Sequence, residues 1–153
     1  MQGIIFESNG KFTKSSIFIE LKNTMDKPRF ENDFASFWIE GGIVYFVYKP
    51  NSVVSLEAAR KIVDDRIKFQ KQKDFPIYCD IRGMKSADKD ARNYLAKEGS
   101  SYARAVAVVV DSPMSKIIGN IYLGLNKPIT PSRLFTDEKD AVEYLKQFAS
   151  QYI

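Results

Sequence analysis

Asp80, Arg82, Lys85 and Ser86 place an acid, two bases and a hydroxyl at the carboxyl end of the nearly continuous apolar run Phe75 to Ile81. Ser112, Ser115 and Lys116 follow a second expected strand, Ala103 to Val110. In an open α/β sheet these two strand ends adjoin if the strands are neighbours, and ligands sit at that edge. Helices starting at Ser86 and Ser112 would add free N–H groups and positive dipole ends. One reading is therefore a small anion or phosphate pocket; another is a docking surface for an acidic or phosphorylated partner. A third is structural: Ser86 and Ser112 as N-caps, and Arg82 paired with an acid.

Other residues offer less. Cys79 lies inside an apolar strand with no histidine to activate it, which suits a structural thiol rather than a nucleophile. Asp88, Asp90 and Glu98 could form a carboxylate site, but two aspartates in a first helical turn are dipole partners in the simpler reading. Arg92 and Lys97 read as solvated, with Tyr94 packed inward. Gly119 and Gly124 fit no phosphate-loop spacing and read as close packing or termination.

Composition removes whole classes of chemistry. The chain has 153 residues, one cysteine, no histidine and a net charge of +4. There is no Ser-His-Asp triad, no histidine base, no His-ligated metal site and no intrachain disulfide. Nothing places a base beside a nucleophile, so an enzyme using Asp, Lys or Ser chemistry ranks last. No cofactor is implied. Acidic residues alternate with basic ones and no run of four Lys/Arg occurs, which speaks against nucleic acid. The apolar run Ala105 to Val110 is too short to span a bilayer, and the N-terminus lacks a signal-peptide pattern. A cytoplasmic protein is expected.

The elements that position these residues alternate. Phe34 to Glu40 and Ile43 to Tyr48 flank Gly41-Gly42 and read as a tight hairpin. Ser55 caps a helix from Leu56 to about Lys71, with Ala59, Ile62, Val63 and Ile67 inward and Glu57/Lys61 and Asp64/Lys68 as outer pairs. Phe75 to Ile81 is a central strand, with Pro76 at its start. Ser86 or Asp88 caps the next helix, which Gly99 stops as a left-handed residue. Ala103 to Val110 is a second buried strand. Ser112-Pro113 opens a helix whose stripe is Met114, Ile117, Ile118, Ile121, Tyr122 and Leu125. That stripe reads as core, with a lipid-pocket wall as the alternative. Arg133 to Phe135 is a short strand, and Thr136 or Asp137 caps the last helix.

The order β-β-α-β-α-β-α-β-α predicts an α/β fold with a mixed, mostly parallel sheet and helices packed on it. Ile77, Cys79, Val106, Val108, Val110, Ile117, Ile121 and Leu145 are expected to be largely buried. Residues 1–24 read as an N-terminal arm or extra hairpin, and residues 25–153 as the domain proper.

Asp80-Ile81-Arg82-Gly83-Met84, the following helix and the strand Ala105 to Val110 resemble the anti-sigma-factor antagonist fold, that is, the STAS domain and its SpoIIAA-like relatives. Leu134-Phe135-Thr136-Asp137 leading into Ala141-Val142-Glu143-Tyr144-Leu145 is similar too. Ala91 to Gly99 resembles a segment of a group of uncharacterised bacterial proteins. The likeness spans roughly Phe34 to Phe148. It implies a non-enzymatic regulatory domain that binds another protein. The phosphorylatable antagonists carry an Asp-Ser-Ser-Gly-like turn, whereas this chain has Lys85-Ser86-Ala87-Asp88-Lys89-Asp90. Ser86 is the one candidate phosphoacceptor, and the glycine after the acceptor is missing.

Two functions are carried forward: a protein-interaction domain working through Arg82, Lys85, Ser86, Ser112, Ser115 and Lys116, and a binder of an acidic metabolite or lipid. The second would use the same helix starts or a space under the third helix. Self-association into a homo-oligomer is compatible with either.

Overall fold

The computed structural model describes residues 29–149. The expected arm over residues 1–24 lies outside them.

Alternating β-branched and aromatic residues form β2 (Ala35–Glu40) and β3 (Ile43–Tyr48). Gly41 and Gly42 connect them with φ of 59° and 77°. Two successive positive φ angles match the twist of the flanking strands, and glycine adopts them without a Cβ clash. A three-residue strand, β1 (Arg29–Glu31), adds to β2 in antiparallel register. It was not anticipated, because three residues are too few to show an alternation.

Strands β5 (Phe75–Asp80), β7 (Ala103–Val109) and β8 (Ser132–Phe135) continue the sheet in parallel. Pro76 is accommodated by a register shift beside Phe75, where no ladder N–H is required of it. With β4 and β6 forming a separate pair, the main sheet runs β1-β2-β3-β5-β7-β8. The pair is β4 (Ser52–Val54) with β6 (Met84–Ala87), parallel, with Val53 opposite Ser86. The segments between β3 and the first helix, and between β5 and the second, thus each contain a short strand. Each is stable because of a partner distant in sequence, which no local pattern reports.

Helices α1 (Leu56–Phe69), α2 (Lys89–Lys97) and α3 (Pro113–Ile121) pack on one face of the sheet, and α4 (Glu138–Lys146) on the other. Ala105 and Ala107 let α4 approach closely, with Leu145 fully buried against them. On the helix-rich face, Phe37, Val44, Phe46, Ile62, Ile77 and Val108 form the main core.

Several local expectations change. Lys61 pairs with Asp65 at 3.2 Å rather than with Glu57, whereas Asp64 and Lys68 do pair, at 3.0 Å. Asp88, not Ser86, caps α2, accepting from the Ala91 N–H at 2.8 Å. Asp137 caps α4. Gly99 is not left-handed; α2 tightens into a 3-10 turn at Glu98–Ser100, and Tyr102 takes the positive φ instead. Helix α3 ends at Ile121 and widens into a π turn, Tyr122–Asn126.

The largest correction concerns α3. Ile117 is 53% exposed rather than buried, and Ile121 is half-buried. Met114 and Leu125 also face outward. Gly119 is the point of closest approach, where a Cβ would lie 2.8 Å from Leu134 Cδ1. The helix thus meets the sheet along Ser115, Gly119 and the inner side of Ile118 and Tyr122, turning half of the stripe to solvent. Cys79 and Val106 are half-buried, not fully, because they line a cavity. Ile77, Val108, Val110 and Leu145 are buried as expected.

Candidate functional site

Strands β5 and β7 are neighbours, so the two groups of candidate residues do share one end of the sheet. Their side chains diverge from there. Arg82 turns toward α4. Its Nε donates to Asp80 Oδ1 at 2.9 Å, and its Nη2 donates to Asp80 Oδ2 and Glu138 Oε2, each at 2.7 Å. The Arg82 N–H donates to Asp80 as well, at 2.9 Å. Hydrogen bonding to Asp80 first, and to Glu138, holds the guanidinium charged and raises its pKa against partial burial. Arg82 thereby ties the end of β5 to the start of α4, in the planar two-oxygen geometry that arginine favours.

Lys85 and Ser86 lie on β6 and are exposed. Ser86 stands beside Val53 of β4, which is 55% exposed. Ser112 and Ser115 cap α3 reciprocally. Ser112 Oγ accepts from the Ser115 N–H at 3.1 Å, and Ser115 Oγ accepts from the Ser112 and Asp111 N–H groups at 3.0 Å each. Ser115 is buried and Lys116 exposed. The serines at the start of α3 satisfy groups that any helix start leaves open.

The sequence offered a space under the third helix as a ligand site; what it did not reveal is that space's polar lining. Between the sheet and α1–α3 lies a cavity of about 90 Å³. Phe46, Ile62, Ile77, Val108 and Ile118 give it apolar walls, and Tyr48, Arg66, Cys79, Arg92 and Tyr122 add polar groups. Arg66 is 4% exposed. It donates to Gln70 Oε1 through Nη1, and to the Gly99 and Ser101 carbonyls through Nη2 at 3.0 Å each. Burial lowers its pKa to about 10. Arg92 donates from Nη1 to the Ala87 carbonyl at 2.6 Å and from Nε to Asn126 Oδ1 at 3.2 Å. A signal was present: Arg66 and Gln70 continue the spacing of Ala59, Ile62 and Val63, so two polar residues sit on the core stripe of α1.

Cys79 faces this cavity, and burial pushes its thiol up to about 12. A thiol that stays protonated is a poor nucleophile. The expected result is negligible reaction of the native chain with a disulfide reagent at pH 8, and one full equivalent after unfolding. Fast native labelling would show that Cys79 is open and ionised. Among the described residues, no cluster of three His, Cys, Asp or Glu side chains could hold a metal ion. Among them, too, no helix is long and apolar enough to cross a membrane.

The model of a domain of unknown function, DUF7793, matches residues 37–149, from the first long strand through α4. The chain belongs to this family. The DUF7793 domain is also similar to a solved structure, an uncharacterized protein of the DUF3478 family with a SpoIIAA-like fold from Shewanella loihica PV-4. The TM-score is 0.50 at 12% identity, over 76% of this chain and 98% of that one. At that identity the likeness concerns fold alone. The DUF7793 domain has the α/β, mostly parallel SpoIIAA-like architecture that its residues Asp80 to Met84 and Leu134 to Leu145 resembled. No curated protein matches the chain.

Proposed function

We propose that this DUF7793 domain is a non-enzymatic regulatory module that binds an acidic segment of another protein through the surface made by β4, β6 and α3. The observation that carries the reading is the outward apolar side of α3. Met114 is 54% exposed and Ile117 53%, on a helix that packs beside β6. Large apolar side chains grouped on a surface are the usual mark of an interaction site. Lys85 and Lys116 border them and are exposed, so the surface is apolar with a basic rim. The SpoIIAA-like fold and the poverty of catalytic side chains support a binding role. In this reading Ser86 is the candidate phosphoacceptor. A phosphate there would change the sign of the rim beside Lys85.

Arg82 is left out of the test, because a glutamate there would face Asp80 and Glu138 and unsettle the fold. The full chain is immobilised as wild type, Lys85→Glu/Lys116→Glu, Ile117→Glu, and Lys139→Glu on the opposite face. Proteins retained from lysate are then quantified. The expected result is an acidic partner held by wild type and Lys139→Glu, and lost several-fold in the other two with unchanged melting curves. The same retained set for all four chains removes this surface as the working one.

A further inference from the structure

Arg66 is buried in the wall of the α1–α3 cavity, without a counter-ion among the described residues. Its hydrogen bonds go to one amide side chain and two backbone carbonyls, and among the described residues no carboxylate lies within ion-pair distance of it. A buried cation without a partner is costly, and proteins pair such charges. The pairing here is incomplete in a specific direction. Among the described residues, Nε of Arg66 and the hydroxyls of Tyr48 and Tyr122 find no hydrogen-bond partner, yet no fully buried polar side-chain atom there lacks one. Those three atoms therefore retain accessible surface. All three residues line the same cavity, and Tyr48 is only 4% exposed. Three residues with unused donors thus line one largely apolar space.

From this convergence we infer that the cavity is a binding site for a small apolar monoanion, a short-chain carboxylate. Its head would accept from Arg66 Nε and from the hydroxyls of Tyr48 and Tyr122. Its short apolar end would face the wall made by Phe46, Ile77, Val108 and Ile118. Size limits that end. A cavity of about 150 Å³ holds benzene, and a water takes about 30 Å³. The space of about 90 Å³ therefore suits a molecule of about four heavy atoms, such as acetate. Burial keeps both tyrosines protonated as donors: the pKa of each is raised, first by desolvation and then by the neighbouring thiol. A neutral ligand of the same size would leave the guanidinium uncompensated. The site stands on its own observations and does not depend on the proposed partner surface.

The test is titration of the full chain with acetate, and with acetamide as the neutral match, by calorimetry and amide chemical shifts. Tyr48→Phe/Tyr122→Phe keeps both rings in place and removes only the hydroxyls, so folding is preserved. The expected result is saturable acetate binding that moves the Cys79, Val106 and Ile118 resonances. It should be about ten-fold weaker or more in the double variant, as for loss of hydrogen bonds to a charged group, with acetamide weaker than acetate. The inference is overturned by acetamide binding as tightly, by acetate affinity unchanged in the double variant, or by no saturable binding of any carboxylate from formate to butanoate.

Discussion

Phe37→Ala lowers the unfolding free energy by about 3–5 kcal/mol, the cost of deleting a buried aromatic ring. For a domain of this size that is roughly 10–20 °C in Tm. Phe37 is 0% exposed. Its ring stacks on Phe30 at 4.9 Å and on Phe46 at 5.1 Å, and meets Phe69 of α1 edge-on at 5.3 Å. Removing it takes the shared neighbour from all three rings and leaves a hole that the rigid sheet fills poorly. Phe46 is also a wall of the cavity, so the change reaches the ligand site through packing. Trp38→Ala is the matched comparison, one residue along on the opposite face. Trp38 is half-buried, stacks on Tyr45 at 5.5 Å and carries Arg29 over its ring at 4.2 Å. Its loss should cost clearly less, because part of its area already faces water. Chemical denaturation of both variants decides it. A smaller loss for Phe37→Ala than for Trp38→Ala would contradict the core described here.

Gly83→Ala is expected to cost roughly 2–3 kcal/mol, the scale of overpacking against parts that cannot move. A Cβ at Gly83 would lie 2.8 Å from the carbonyl oxygens of both Tyr48 and Lys49. These are backbone atoms, so no rotamer change relieves the contact. The Gly83 carbonyl also accepts from the Ser52 N–H at 3.3 Å, which joins the start of β4 to the start of β6. Pushing the two chains apart would disturb that pair and the exposed positions Lys85 and Ser86 that it carries. Gly41→Ala separates crowding from backbone strain. Nothing lies within 4 Å of a Cβ there, but φ is +59°. It should cost about 1 kcal/mol from conformation alone. Equal losses at the two sites, measured by urea unfolding, would show that close approach at Gly83 is not the controlling term.

Local patterns settled much of this protein. The Gly41-Gly42 hairpin, the Ser55 cap, the apolar strands at Ile77 and Val108, and the Ser112-Pro113 helix start each depend on neighbours within a few residues. Alternation of strand and helix then implied the parallel sheet, and the absence of histidine by itself excludes histidine-based catalytic chemistry. The functional geometry depended on neighbours that the sequence does not name. Whether Arg82 is free rests on Glu138, distant in the chain, and on the fold bringing α4 to the end of β5. Whether Ile117 is buried rests on which side of α3 the close contact at Gly119 selects, since a wide apolar stripe fits two orientations. Whether Arg66 sits in water or in a cavity wall rests on how far α2 and α3 stand off the sheet. Periodicity assigns residues to a face of one element; the distance between that face and the next element is decided by packing across the whole core.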